Sequence, residues 1–197
     1  MKIVTKYDAG PIVLAPDIHS DGRGYFFESF NNEEFKKLTG LDITFVQDNE
    51  SKSGYGTLRG LHFQKPPYAQ SKLVRVVKGA AMDVIVDIRK GSPWYGEFFH
   101  CYLSEQNHRQ FFVPQGFAHG FIALQDDTIF QYKCDNYYNK ESEGAIAWDT
   151  PLVGELEGIP WTELVNYPDI KLSEKDRHHE ILPLLEDNPF VYNDSDE

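Results

Sequence analysis

The sequence predicts an all-β fold, an antiparallel sandwich or barrel. Three observations carry that prediction. Past residue 70, short apolar or alternating runs recur, each closed by Gly, Pro, Asn or Asp. One segment in the first half reads as a helix, and no second strong one follows before residue 150. Hydrophobic residues are 41% of the 197 and aromatics 14%, enough to fill the core of a domain this size.

The elements follow in chain order. Ile12 to Leu14 is a short apolar strand, and His19 to Gly24 (HSDGRG) is a polar turn built on Asp21-Gly22 and Gly24. Tyr25 to Phe30 (YFFESF) reads as a strand. Glu28 is expected to face outward or to pair, with Arg23 as its natural partner, because a lone buried carboxylate is costly. Asn31 to Leu38 is the helix. Asn31 or Asn32 caps it, Glu33 and Glu34 suit its first turn, Lys36 and Lys37 its last, and Gly40 follows its end. Phe35 and Leu38 would face the core. Thr44 to Asn49 is a strand with a polar end. Gln47, Asp48 and Asn49 fit either loop residues that satisfy the backbone or a hydrogen-bonding edge for a sugar or base.

Further strands are expected at Leu73–Lys78, Ala81–Arg89, Glu97–Leu103, Gln110–Val113, Gly116–Leu124 and Thr128–Asp135. In the second of these, Met82, Val84, Val86 and Ile88 share one face and Asp83, Ile85 and Asp87 the other, and Gly79 makes the turn before it. No repeat or linker divides this series, which reads as one β domain to about residue 150. The remainder is rich in Pro, Asp and Glu. Within it Leu172 to Asp176 (LSEKD) resembles a helix start, with Ser173 as cap. The closing NDSDE is expected to be disordered.

Charge and cysteine content narrow the function classes. A formal net charge of -12 argues against a nucleic-acid surface, while a small anionic ligand would need a local cationic pocket. No apolar run approaches the ~20 residues of a membrane helix, and the N-terminal MKIVTKYDAG lacks a secretory signal core. Cys101 and Cys134 have no CxxC spacing. They are expected as reduced thiols in a cytoplasmic protein, with a disulfide between them left open.

The stretch from Gly56 to Lys72 (GTLRGLHFQKPPYAQSK) concentrates chemistry, with His62 between Arg59 and Lys72. A base near cations suits an anionic substrate. Strand alternation places Leu58, Gly60, His62 and Gln64 on one face and Arg59, Leu61 and Phe63 on the other. Arg59 and His62 therefore serve one site only if a bulge, a strong twist or an edge approach intervenes. Taken alone, the segment equally fits a satisfied strand histidine flanked by solvated cations. Tyr132, on the alternating face Phe130, Tyr132, Cys134, taken alone reads as a core or interface tyrosine.

Val113 to Phe121 (VPQGFAHGF) resembles the second signature of the cupin superfamily, whose fold is a jelly roll. Many cupins join a histidine there to an HxH pair and a glutamate around a metal. Here the first-signature region offers only His62, so no metal is expected. The ordered segments DGRGYFFESF (21–30), QDNESKSGYGTLRGLHFQ (47–64), KLVRVVKG (72–79), DVIVDIRKGSPWYG (83–96), VPQGFAHGF (113–121), YKCDNYYNKESEG (132–144) and LSEKD (172–176) together resemble the dTDP-4-dehydrorhamnose 3,5-epimerases. The likeness runs from about residue 3 to residue 185. Two departures are small: Pro160-Trp161 reverses the more usual order, and the acidic C-terminal tail is extended.

The resemblance implies a cupin-type jelly roll of antiparallel strands with a few short helices. It implies a single epimerase domain over residues 1–185, with 186–197 as a flexible acidic tail. Ile181 to Leu185 would pack on the domain. It implies inversion of C3 and C5 of dTDP-4-dehydro-6-deoxy-D-glucose without a cofactor, in the pathway to dTDP-L-rhamnose, by a cytoplasmic homodimer. His62 would be the base, Asp176 its carboxylate partner (with Asp83 as the other candidate), Lys72 the enolate-stabilising cation and Tyr132 the acid on the opposite face. An imidazole ordinarily titrates near ~6.5, which suits proton transfer at neutral pH. Arg23, Arg59 and Lys175 would hold the nucleotide-sugar, Tyr138 would stack on thymine, and Glu28, Gln47, Asn49, His119 and Glu143 would complete the binding positions. Asp48 joins them as part of the polar edge. Some of these would act across the dimer. The alternatives are a single-centre epimerase on a related nucleotide-4-ketosugar, a metal-dependent cupin oxygenase, against which the missing HxH argues, and a sugar-binding cupin without catalysis.

Overall fold

The computed structural model describes residues 1–150, 161–166, 169–182, 185 and 188–192. Its strands are β1 (Lys2–Lys6), β2 (Ile12–Ala15), β3 (His19–Asp21), β4 (Gly24–Phe26), β5 (Gln47–Ser53), β6 (Leu58–Gln64), β7 (Lys72–Lys78), β8 (Ala80–Asp87), β9 (Phe98–Ser104), β10 (Gln110–Val113), β11 (Phe117–Ala123), β12 (Thr128–Cys134) and β13 (Glu143–Ala145). Helix α1 spans Asn32–Thr39 and α2 spans Trp161–Leu164, with a single 3-10 turn at Lys140–Ser142. The strands form a six-stranded sheet, β1-β2-β10-β7-β12-β5, and a five-stranded sheet, β13-β6-β11-β8-β9, with β3-β4 as a separate hairpin. Neighbouring strands in both sheets pair antiparallel.

Strand alternation sorts the apolar residues into three layers. Val74, Val76, Phe111 and Phe130 of the six-stranded sheet meet Ala81, Ile85, Leu103 and Phe121 of the five-stranded sheet, forming the core between the two. Leu58, Leu61, Val84, Val86, Ile88 and Ile122 turn the other way, where Trp161, Val165, Leu182 and Phe190 from the C-terminal segments cover them. On the far side of the six-stranded sheet, Ile12, Leu14, Leu73 and Phe112 pack against Phe35 of α1. Both faces of both sheets are thus buried over much of their area, so the central strands carry more apolar residues than a half-solvated sheet needs.

Helix α1 forms for the reasons read from its sequence. The Asn31 side chain accepts from the Glu33 and Glu34 amides, and Gly40, at φ 79°, donates its N–H to the Lys36 carbonyl. Three segments differ from expectation. The YFFESF run is a strand only to Phe26, because β3-β4 joins neither large sheet, and Tyr25 and Phe26 remain 60% and 73% exposed. Arg23 pairs with Asp21 at 2.6 Å rather than with Glu28, and Glu28 is exposed, one of its two expected states. The strand expected from Thr44 begins only at Gln47, so Gln47, Asp48 and Asn49 are ladder residues, opposite Cys134, Lys133 and Tyr132. LSEKD is a capped turn. Ser173 Oγ accepts from the Asp176 amide at 3.1 Å, but no helix follows.

The flexible tail expected from residue 186 is also revised. Phe190 is buried, Val191 bridges to Lys90, and Asn188 donates its side-chain N–H to the Ile88 carbonyl. Phe190 fills apolar space beside Phe63, which outweighs the acidic composition around it. Leu182 is buried and Leu185 packs against the same cluster. The Pro160 departure and the closing NDSDE lie outside the described residues.

Candidate active site

The β6–β11 pair builds the central feature. His119 lies opposite His62 and Phe121 opposite Arg59, so Gly60 and Leu61 together face the single residue Gly120. This two-against-one register is a β-bulge, and it shifts the alternation by one residue. Leu58, Leu61 and Phe63 enter the apolar cluster, while Arg59, His62 and Gln64 line one cleft. The bulge is the irregularity that a common site for Arg59 and His62 requires. It needs two glycines: a Cβ on Gly60, at φ 124°, would stand 2.6 Å from Gly120 Cα, and one on Gly120 would stand 2.5 Å from the Arg59 carbonyl oxygen.

The cleft encloses about 630 Å³ and opens between the sheets. The five-stranded sheet contributes Arg59, His62 and His119, and the six-stranded sheet contributes Glu50, Lys72 and Tyr132. Phe121 and Phe130 stack in its wall with centroids 4.0 Å apart. The turn at 173–176 adds Ser173, Lys175 and Asp176, and the segment after β12 adds Tyr138 and Glu143.

His62 Nε2 is 2.6 Å from Asp176 Oδ1, and Ser173 Oγ donates to Asp176 Oδ2 at 2.8 Å. Burial alone would raise the Asp176 carboxyl. The hydrogen bonds from His62 and Ser173 outweigh it and hold the group below the ordinary carboxylate value. Asp83 makes a different pair, 2.8 Å from His119 Nε2. The structure therefore separates the two acidic candidates: Asp176 partners His62, and Asp83 partners His119. Burial raises the Asp83 carboxyl and lowers the His119 imidazole, and each partner opposes the other's shift. Asp83 Oδ1 is buried without a hydrogen-bond partner.

Lys72 is buried, and its ammonium lies 5.9 Å from the centroid of the Tyr132 ring. Desolvation pushes the lysine down, opposed by Cys134 and Asp83, and it pushes the Tyr132 phenol up. At the mouth, Lys175 Nζ contacts Glu143 Oε2 at 2.5 Å, and Tyr138 donates its hydroxyl to Glu143 Oε1 at 2.9 Å. Arg59 donates to Ser53 Oγ at 3.1 Å.

Of the sequence-predicted residues, the cleft thus gathers His62, Tyr132, Lys72, Asp176, Arg59, His119, Tyr138, Glu143 and Lys175. Gln47, Asp48 and Asn49 stand outside it. Gln47 accepts from the Tyr138 amide and donates to Asn49, Asn49 donates to Cys134 Sγ, and Asp48 pairs with Lys133. Arg23 and Glu28 lie away from the cleft within this chain. Sequence reasoning missed Glu50, Ser51, Gln64, Gln70, Lys140 and His179 as lining residues. Gln64 was legible as a strand neighbour two residues from His62. His179, three residues after Asp176, was hidden in a segment that carries no strand or helix pattern. Both cysteines are free and buried.

A two-sheet antiparallel barrel with a half-exposed imidazole held by a buried carboxylate, and a buried ammonium and a half-buried phenol across the cleft, defines a proton-transfer enzyme of the cupin type. A profile of the dTDP-4-dehydrorhamnose 3,5-epimerase family matches residues 8–183. The dTDP-4-dehydrorhamnose 3,5-epimerase of Methanothermobacter thermautotrophicus is 49% identical over 183 residues, 92% of this chain and 94% of its own length. The crystal structure of that enzyme from Elizabethkingia anophelis superposes with a TM-score of 0.85 at 44% identity, covering 95% of this chain and 98% of its own. A Legionella pneumophila dTDP-6-deoxy-D-glucose-3,5-epimerase, solved with dTDP-4-keto-L-rhamnose, gives a TM-score of 0.82 at 38% identity, with 98% of each chain covered. The chain belongs to the dTDP-4-dehydrorhamnose 3,5-epimerase family.

Proposed function

We propose that this isomerase converts dTDP-4-dehydro-6-deoxy-D-glucose to dTDP-4-dehydro-L-rhamnose by inverting C3 and C5, supplying dTDP-L-rhamnose synthesis. The observation that carries the reading is the 2.6 Å His62–Asp176 pair on one side of a cleft whose opposite sheet presents Tyr132 and Lys72.

Both C3 and C5 flank the C4 ketone, so loss of either proton gives an enolate with its charge on the C4 oxygen. His62 takes the proton through a ring nitrogen. Asp176, held by Ser173, orients the imidazole and stabilises the imidazolium that forms. Lys72 faces the enolate oxygen. Charge stabilisation in a dry site is often the largest catalytic contribution. Tyr132 returns a proton to the opposite face of the carbon, and burial keeps its phenol protonated until then. No electron changes owner in either half-reaction, so the residues need no redox cofactor.

Arg59 and Lys175 are assigned to the phosphates, Tyr138 to the base, and His119 and Glu143 to the sugar side of the cleft. Arg23, Glu28, Gln47, Asp48 and Asn49 are assigned to binding from the cleft's surroundings. The exposed β3-β4 hairpin, with Tyr25 and Phe26 largely uncovered, fits a contribution to the cleft of a second copy in a homodimer. Sedimentation as a monomer at assay concentration would remove that part. Within the described residues no helix is long and apolar enough to cross a membrane, and a cytoplasmic location is proposed with the nucleotide-sugar as substrate. Residues 1–185 are proposed as one functional domain.

The test is incubation with dTDP-4-dehydro-6-deoxy-D-glucose in heavy water, read by proton NMR. Loss of the C3 and C5 protons with the parent, and retention with His62→Ala, is expected. Exchange at one carbon alone would replace the reading with a single-centre epimerase. Binding without any exchange would leave a non-catalytic nucleotide-sugar protein.

A further inference from the structure

We propose that His62, Asp176 and His179 form a binding site for a divalent transition-metal ion of the zinc type, and that an ion bound there shuts the epimerase off. The ligand atoms of these three residues all lie within 4.8 Å of one another. Asp176 Oδ1 is 2.6 Å from His62 Nε2 and 3.8 Å from His179 Nε2. The two imidazole rings stand at 90° to each other with centroids 5.9 Å apart, so they approach the carboxylate oxygen from different directions.

Two imidazoles and one carboxylate are a donor set that zinc accepts with its fourth position left to solvent or a ligand. Metal–ligand bonds of ~2.1 Å in a tetrahedron place the donors ~3.4 Å apart. The His62–Asp176 distance is shorter than that and the His179–Asp176 distance slightly longer. The third pair, His62 to His179, lies within 4.8 Å, so closing all three donors on one ion takes side-chain shifts on the order of an ångström.

His179 is an independent pointer to a ligand. Its Nε2 is buried and has no hydrogen-bond partner, a condition that costs stability unless something completes it. No step of the epimerisation uses it. Its neighbour His178 instead points to solvent, 76% exposed, beside Glu174. All three residues line the cleft. A chain of net charge -12 also favours cations at its surface. Nitrogen donors select zinc, cobalt or copper over magnesium and calcium, which prefer oxygen.

Binding and catalysis are mutually exclusive. The ion displaces the proton that His62 Nε2 donates to Asp176 and draws the carboxylate onto itself, so Nδ1, the nitrogen left to accept the substrate proton, loses basicity and the carboxylate that would stabilise the imidazolium. Metal binding does not depend on the epimerase reading, but the inhibition rests on it.

The test uses the full chain after chelator treatment. It is titrated calorimetrically with Zn²⁺ and, separately, with Co²⁺, whose visible absorption reports tetrahedral coordination. One Zn²⁺ per chain is expected, with Co²⁺ displaced by Zn²⁺, proton exchange lost in step with occupancy and restored by EDTA, and no effect of Mg²⁺. His179→Gln should weaken Zn²⁺ binding by on the order of tenfold or more, since only two donors remain. His178→Gln should bind as the parent does. Parent-like Zn²⁺ affinity in His179→Gln, or weakening in His178→Gln instead, would overturn the site. Absence of Zn²⁺ binding in a fully active enzyme would do the same and leave the epimerase reading intact. Zn²⁺ that binds through His179 without slowing exchange would keep the site but remove His62 as the base.

Discussion

Replacing Gly60 with alanine tests whether the bulge makes the site. The added Cβ would lie 2.6 Å from Gly120 Cα and 2.8 Å from the His119 carbonyl oxygen. Both obstacles are backbone, so no side chain can swing aside. The backbone at φ 124° is itself one that L-residues rarely adopt, at a cost of about 1–3 kcal/mol. With the clash added, the loss is about 3–5 kcal/mol, in the range of substitutions that break a special backbone position. For a chain this long, each kcal/mol lowers Tm by about 2–4 °C, so a fall on the order of 10 °C is expected by calorimetry. The functional effect is larger than the thermal one. Relief by removing the bulge would send Arg59 and His62 to opposite faces, and a misplacement of even ~1 Å costs on the order of 10²-fold in rate. Proton exchange in heavy water reads this directly. Gly22→Ala is the control, since its Cβ meets nothing within 4 Å and its backbone is ordinary. A Gly60→Ala protein that melts within about 2 °C of the parent and exchanges both protons at the parent rate would refute the reasoning.

Two further substitutions separate the proposed roles. Tyr132→Phe is expected to keep proton abstraction by His62 while losing return from the opposite face. NMR in heavy water should then show C3 and C5 exchange persisting as the product fails to accumulate. Loss of exchange and product together would move Tyr132 to the abstraction step. Asp176→Asn should lower kcat by roughly 10²-fold or more, as loss of a group supporting acid–base transfer does. It should also lower stability near pH 7 by about 1–3 kcal/mol through its charge-assisted hydrogen bonds. The folded Asp176 pKa is depressed, so its contribution is complete above the unfolded value of ~3.9 and disappears as pH falls through the folded value. Denaturant melts of parent and variant should therefore converge in acid. A gap that widens below pH ~4 would contradict that sign.

What the sequence exposed and what it hid follow from the range of the interactions. Helix α1 was legible to its caps because Asn31, Gly40 and the ordered charges act within a few residues. The β8 pattern was legible because alternation is a property of one strand, and its two faces do enter different clusters. That a common site for Arg59 and His62 needs a bulge, a strong twist or an edge approach was also readable, and the β6–β11 register shows which of the three it is. The choice between Asp176 and Asp83 was not. It depends on a contact spanning 114 residues, made by a turn whose helix-like start stops after its cap. Strand β5 was blurred because its first residues, Gln47, Asp48 and Asn49, form a polar edge beside β12, and edge residues carry the composition of loops. Phe190 was hidden by its acidic neighbours, although its ring beside Phe63, with the Asn188 and Val191 contacts, sets residues 188–192 against the domain.

The division of the site between two sheets answers a demand of the chemistry. Inversion at carbon requires that the proton leave one face of the sugar ring and return on the other. Groups side by side on one sheet face would reach the same side of the ring. Here His62 rises from β6 of the five-stranded sheet, and Tyr132 and Lys72 from β12 and β7 of the six-stranded sheet, with the apolar interior holding the sheets apart. On the proposed roles, a ring bound edge-on between them would meet the imidazole on one face and the phenol on the other. Because C3 and C5 flank the same carbonyl, their two enolates share one oxygen, and in the proposed mechanism a single buried ammonium would serve both. With those roles, one set of acid–base residues would suffice for two inversions: moving from one carbon to the other would require the sugar to shift, not the protein to supply a second set of groups.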